Sequence, residues 1–297
     1  MAVCPVCNAK FDSGDYYTMA THFINLAEDS DAYHVQWINR NISRKKMDIT
    51  QFTSAIENFY NIAHGGIKEW IINKFVEQFR GENPHPFILK MQSYSKPVMM
   101  GYAIEHYFFL KQWVKSCSII ISKTDLDDVQ RYEIENILSE YYGRGRKKPH
   151  IELLLEMGEE LGVDRVQIFA TEPLDSTKFA ISRWKEITNS CNWICIMAAM
   201  HSLELVANSK LNNYGAKYDY FNPGMLDSPL VPDSVKKFLG EGYKSDYSHS
   251  FRALDIIAKY CHDYNMEGIQ DAYLMSAYVF DRYLEARMER GEMFENQ

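Results

Sequence analysis

Between Trp193 and Ala207 the chain reads Trp-Ile-Cys-Ile-Met-Ala-Ala-Met-His-Ser-Leu-Glu-Leu-Val-Ala, a helical stretch that is apolar on every side. Such a helix has no face to offer water, so it must be a central element enclosed by its neighbours. It is too short to span a bilayer. Within it only His201 and Glu204 readily carry charge, and residues three apart share a helix face. A glutamate in such surroundings is neutral, paired or metal-bound. Glu204 is therefore the leading functional candidate in the chain.

The other segments read as amphipathic helices. Asp48-Ile49-Thr50-Gln51 is an N-cap with its capping box and opens the main domain. Helical periodicity runs to about Ala63, pauses at Gly65-Gly66 and resumes to about Phe79. Pro97 starts a long helix reaching about Ile121. Inside it Glu105 and His106 point about 100° apart, which predicts one solvated and one core residue. A helix from Asp127 to Tyr142 is stopped by Gly143-Arg144-Gly145-Arg146. The next runs from His150 to Leu161 and keeps His150 on its core stripe with Leu154, Met157 and Leu161. After an aromatic-rich loop with the character of a lid, a helix from Tyr243 to Tyr260 turns Asp246 and His249 inward. A last helix covers about Gly268 to Arg287. No strand, glycine-rich phosphate loop or nucleophile elbow is apparent. The expected fold class is all-α.

The amino terminus differs in kind. Cys4 and Cys7 form a Cys-x2-Cys knuckle, with fourteen residues between Cys7 and His22 and eleven between His22 and His34. Two thiolates and two imidazoles suit a tetrahedral structural zinc, although the spacing is not that of a nucleic-acid-reading finger. The expected organisation is a zinc-knuckle segment over residues 1–42 and a helical domain over 48–297. Net charge −8 and only short basic runs argue against nucleic acid as a partner. The six cysteines do not form a secreted disulfide framework. Together with the lack of a leader or membrane span, this predicts a cytoplasmic protein.

The inward-facing polar groups are Glu140, His150, Glu204, Asp246 and His249. Carboxylates and imidazoles from several helices make the mixed oxygen and nitrogen set that iron or manganese prefers. In order and spacing, Glu140-x9-His150, Ser202-Leu203-Glu204 and Asp246-x2-His249 resemble the haem-oxygenase-like di-metal oxidases, the group of TenA, PqqC and the chlamydial death-domain-associating protein. Tyr102-Ala103-Ile104-Glu105-His106-Tyr107 also resembles the helix preceding that group's first glutamate. The resemblance covers about Ile49 to Arg287. It implies a haem-oxygenase-like helical bundle and a non-haem iron oxidase or oxygenase, with one or two irons, acting on a small organic substrate with O2. Structural zinc would sit on Cys4, Cys7, His22 and His34, and a homodimer is the assembly expected.

The chain departs from the group's pattern at Gly242, where a histidine belongs. Glu241 or His201 could supply the missing ligand. Failing both, a single metal could rest on His150, Asp246 and His249, or the bundle could work without metal as PqqC does. The competing reading is a zinc-anchored interaction or regulatory protein with a degenerate bundle site.

Overall fold

The computed structural model describes residues 2–62, 65–143, 145 and 147–295, apart from the side chains of residues 243–249. Ala63, Arg144 and Arg146, which figured in the reading of helix ends, lie outside the described residues. Thirteen α-helices account for most of the rest: α1 (Tyr16–Glu28), α2 (Ala32–Asn41), α3 (Ile49–Tyr60), α4 (Gly66–Phe75), α5 (Pro86–Lys90), α6 (Lys96–Ser122), α7 (Asp127–Ile137), α8 (His150–Leu161), α9 (Arg165–Ala170), α10 (Asp175–Ser190), α11 (Trp193–His201), α12 (Asp233–Tyr260) and α13 (Met266–Glu295). The all-α expectation holds with one correction. A two-residue hairpin, Ala2–Val3 against Lys10–Phe11, pairs antiparallel and carries the Cys-x2-Cys turn. Strands this short have no periodicity for a sequence reading to catch.

Local chemistry sets the helix starts. Asp48 accepts from the backbone of Gln51 while the Gln51 side chain accepts from the backbone of Asp48, closing the capping box that opens α3. Asn192 caps α11 and Asp31 caps α2. Gly143, at φ +90°, ends the segment after α7 in a conformation that costs a side-chain-bearing residue more.

Helices α6 and α13 form the central pair, with α10 and α11 packed on α13 and α12 on α8 and α11. Small residues make the central contact close. A Cβ at Gly101 would come within 2.4 Å of the Arg287 carbonyl oxygen, and one at Gly291 within 3.0 Å of Pro97 backbone. This near backbone contact brings residue 287 of α13 against Tyr102 and His106 of α6. Around it lies one continuous apolar core that includes Phe109, Trp113, Trp184 and Phe280. Trp184 is fully buried, its indole N–H donating to Ser276 at 2.9 Å. Met19, Phe23 and Trp37 from α1 and α2 join the same core as Phe59 of α3, so the knuckle segment rests on the bundle.

Two departures from regular α-helix matter for the site. The segment expected to be one helix to Tyr142 changes to a π-helical turn at Leu138–Tyr142, which contains Glu140. The enclosed helix is α only to His201 and continues as a 3-10 turn, Ser202–Ala207, which contains Glu204. Ser202 donates back to the Ala198 carbonyl at 2.6 Å, competing with the regular ladder where the change occurs.

Candidate metal centre

A cavity opens between α6, α8, α13, the π turn and the 3-10 turn. Its volume is about 60 Å³. Glu140, His150 and Glu204 line it together, with Phe109, Leu110, Trp113 and Leu203 as apolar wall. Three side chains distant in sequence therefore meet at one space. Asp246 and His249 belong to α12, but their side chains lie outside the described residues.

Among the described residues, each of the two central donors is held by one atom and free at another. His150 Nδ1 lies 3.0 Å from Glu140 Oε2, while Nε2 is buried with no partner. A carboxylate on one ring nitrogen fixes the tautomer and aims the other, the arrangement common behind metal-bound histidines. Glu204 Oε1 lies 3.3 Å from His201 Nδ1, while its buried Oε2 has no partner. The Glu204 side chain is 9% exposed. Buried polar atoms left without partners are rare and costly. Imidazole nitrogen and carboxylate oxygen are donor types that iron or manganese takes, although among the described residues Glu140, His150 and Glu204 do not bring three donor atoms within 4.8 Å of one another.

His201 is engaged by carboxylates on both ring nitrogens, and with Cys117 and Glu133 it forms a buried group whose donor atoms lie within 4.8 Å of one another. It is fully buried, with Nε2 2.9 Å from Glu133 and Nδ1 facing Glu204 and, at 3.3 Å, the Tyr132 hydroxyl. Burial alone would pull its pKa down, but Glu133 and then Glu204 outweigh that and push it up to about 10. An imidazolium clamped between two carboxylates has no free nitrogen for the cavity. It braces Glu204 instead, helped by the 3-10 turn, in which residues i and i+3 eclipse. Glu241 is half-buried and lies 3.8 Å from Lys147. Gly242 supplies no donor, yet its position faces the site: a Cβ there would sit 3.3 Å from His150 Cε1 and 3.7 Å from Nε2.

Glu133, not singled out by the sequence, is fully buried, and a signal for it existed. Val129, Tyr132, Glu133, Asn136 and Glu140 fall on one helical stripe and all are buried. Also unforeseen, both Glu105 and His106 are interior. Glu105 binds Arg290 at 2.8 Å, a partner 185 residues away, and His106 Nδ1 meets Tyr283 and Arg287. Distant partners let both adjacent side chains stay out of water.

At the amino terminus Cys4, Cys7, His22 and His34 bring their donor atoms within 4.8 Å of one another. Cys4 Sγ lies 3.5 Å from His34 Nε2 and Cys7 Sγ 3.4 Å from His22 Nε2. Asp31, the cap of α2, also holds His34 Nδ1 at 2.7 Å and so aims Nε2 at the sulfurs. Burial pushes the Cys4 thiol up to about 12, so its thiolate needs a cation beside it. Two sulfurs and two imidazoles in this arrangement are a zinc donor set.

Among the described residues no helix is long and apolar enough to cross a membrane. A model of the TENA/THI-4/PQQC family matches residues 72–291, and a C2H2-type zinc-finger model matches residues 1–61. The 4-aminobenzoate synthase of Chlamydia muridarum is 26% identical over 170 residues, covering 53% of this chain and 70% of that protein. A Shewanella denitrificans domain of unknown function with a haem-oxygenase-like fold superposes with TM-score 0.53 at 16% identity, covering 84% of this chain and 96% of that one. A TenA-family transcription regulator from Silicibacter gives TM-score 0.52 at 13% identity, covering 80% and 98%. Similarity at these identities speaks to the fold, and the bundle is haem-oxygenase-like.

Proposed function

The chain belongs to the TENA/THI-4/PQQC family, and on that premise we propose that it is a non-haem iron oxidoreductase that activates O2 on a small organic substrate. One observation carries the reading: His150 Nε2 and Glu204 Oε2, both buried and without a partner among the described residues, belong to side chains lining one cavity. His150 and Glu204 would hold iron, with Asp246 and His249 of α12 as further ligands and Glu140 standing behind His150 on its other ring nitrogen. Iron bound by oxygen and nitrogen donors supplies redox chemistry with open positions for O2.

The protein's own groups do the positioning. Glu140 fixes the His150 ring so that Nε2 is the nitrogen presented. His201 holds one oxygen of Glu204 and leaves the other available. Phe109, Leu110, Trp113 and Leu203 exclude bulk water, which strengthens every electrostatic interaction inside. The name of the chlamydial relative, a synthase of an aromatic amino acid, favours an enzyme over a binding protein. Gly242, which places no donor beside His150, favours one iron over two. The same residue favours the second reading, a zinc-anchored regulatory protein whose bundle has lost its chemistry.

Metal analysis after anaerobic addition of Fe(II) separates the two. The oxidoreductase takes up iron beyond its zinc and changes absorbance on exposure to O2. In Glu204→Gln, iron affinity falls by on the order of a hundredfold or more, with zinc unchanged. A wild-type protein that retains zinc alone and takes up no Fe(II) sinks the oxidase reading.

A further inference from the structure

The cavity's other wall carries a charge that nothing described around it balances. Arg287 is 2% exposed and lines the same space as Glu140, His150 and Glu204. Its Nη1 donates to the Tyr220 hydroxyl at 2.6 Å, and its Nη2 donates to the Tyr283 hydroxyl at 2.7 Å and His106 Nδ1 at 2.9 Å. The guanidinium lies 3.9 Å from the centroid of the Tyr102 ring. Its Nε is buried with no partner among the described residues.

These hydrogen-bond partners are neutral. Burial keeps the Tyr220 and Tyr283 phenols protonated, far above their ordinary range, and burial with the adjacent guanidinium holds His106 well below its own. Among the described residues no carboxylate forms an ion pair with Arg287, and Glu105 on the facing helix is taken by Arg290. A buried arginine is ordinarily matched by a carboxylate or phosphate, because neutral hydroxyls and ring faces recover only part of what desolvating the cation costs. A buried guanidinium on a cavity wall, with no ion-pair partner and an open Nε–H among the described residues, is half of an anion site.

We propose that Arg287 anchors the carboxylate of this protein's substrate, which is therefore a small organic acid. Tyr220, Tyr283 and His106 hold the guanidinium in place by taking its other N–H groups. The apolar wall of Phe109, Leu110 and Trp113 covers the body of the acid, and its far end points toward His150 and Glu204. The space open to water-sized centres is about 60 Å³, enough for a few water molecules and so for a compact acid rather than a long chain. That the far end is the oxidised one rests on the proposed iron chemistry. The anion site itself does not.

Calorimetric titration of the full chain, metal-free and Fe(II)-loaded under nitrogen, tests this with acetate and benzoate against their neutral isosteres acetamide and benzamide. At least one acid is expected to bind in both metal states, and its amide on the order of thirtyfold more weakly. Arg287→Gln should lose acid binding by a similar factor. Arg287→Lys should recover part of it, since it keeps the charge but not the planar fork. Tyr220→Phe removes one partner and keeps the cation. It should weaken the acid only severalfold and preserve the preference over the amide, so the proposal stays testable if the arginine variants do not fold. Acid and amide binding alike, or neither binding, overturns it. So does acid binding that requires iron, vanishes in Glu204→Gln and survives in Arg287→Gln, because the carboxylate would then sit on the metal. Acid binding intact in a protein that takes up no iron breaks the oxidase reading and supports the anion site.

Discussion

The amino-terminal cluster and the bundle cavity use overlapping side-chain chemistry in opposite arrangements. At the amino terminus four donors close on one another, sulfur to nitrogen at 3.4 and 3.5 Å, although Cys7 and His34 also border a surface pocket. In the bundle each donor is gripped from behind, His150 by Glu140 and Glu204 by His201, and has a second atom without a partner among the described residues on a side chain that lines the cavity. A site whose donors are all turned on one another can only tie chain segments together. One whose donors face a cavity leaves positions for a substrate. The first fits a structural zinc, and the second fits the chemistry.

Breaking the first site should have the largest effect. Cys4→Ser should abolish zinc binding and destabilise the first forty or so residues by several kcal/mol. That is less than the roughly 10 kcal/mol or more that zinc contributes to an isolated finger, because Met19, Phe23 and Trp37 also pack into the shared core. Zinc analysis with limited proteolysis reads this directly, and iron uptake should be untouched. Loss of iron along with zinc would show that the two sites are not separate.

The contrast sharpens at His201. As a brace rather than a ligand, its replacement by Gln should lower iron affinity about 10- to 100-fold, roughly 1.4–2.7 kcal/mol, without abolishing it. An Fe(II) titration comparing His201→Gln with Glu204→Gln distinguishes the roles. Equal and complete loss in both would make His201 a ligand after all.

The smallest expected effect lies where the two regions touch. Asp281 of α13 accepts from Gln36 at 3.2 Å and sits 3.6 Å from Arg40, both residues of α2. Burial raises its carboxyl to about 7, with Arg40 opposing. The unfolded carboxyl titrates near 3.9. The folded chain therefore binds the proton more tightly, and this group's contribution to stability, full below about pH 4, is lost as pH rises to about 7. Asp281→Asn should remove that slope, leaving stability at pH 4 little changed and raising it at pH 8 by about 1–2 kcal/mol once the opposing Arg40 charge is discounted. Urea midpoints at the two pH values check it. A variant destabilised equally at both would mean that the carboxylate is ionised and usefully paired with Arg40.

Much of the bundle site was legible because burial of a helix is written in its neighbours along the chain. Apolar residues on every side of Glu204 announce its enclosure, and periodicity from His150 to Leu161 turns His150 inward. The stripe from Val129 to Glu140 would have exposed Glu133 on the same reasoning. Arg287 had no such signal. It lies among other charged residues near the end of an amphipathic helix, much as the surface-reaching Arg282 and Arg290 do.

The order of helices, the cap at Asp48, the zinc donor set and the interior placement of Glu204 follow from sequence alone, since each depends on residues within a few turns of one another. Which nitrogen of His150 is presented, which oxygen of Glu204 stays free, and that a cation stands across the cavity were decided only by tertiary structure. Those features depend on contacts such as the close approach of Gly101 to α13, between residues that sequence separation leaves unrelated until the chain has folded.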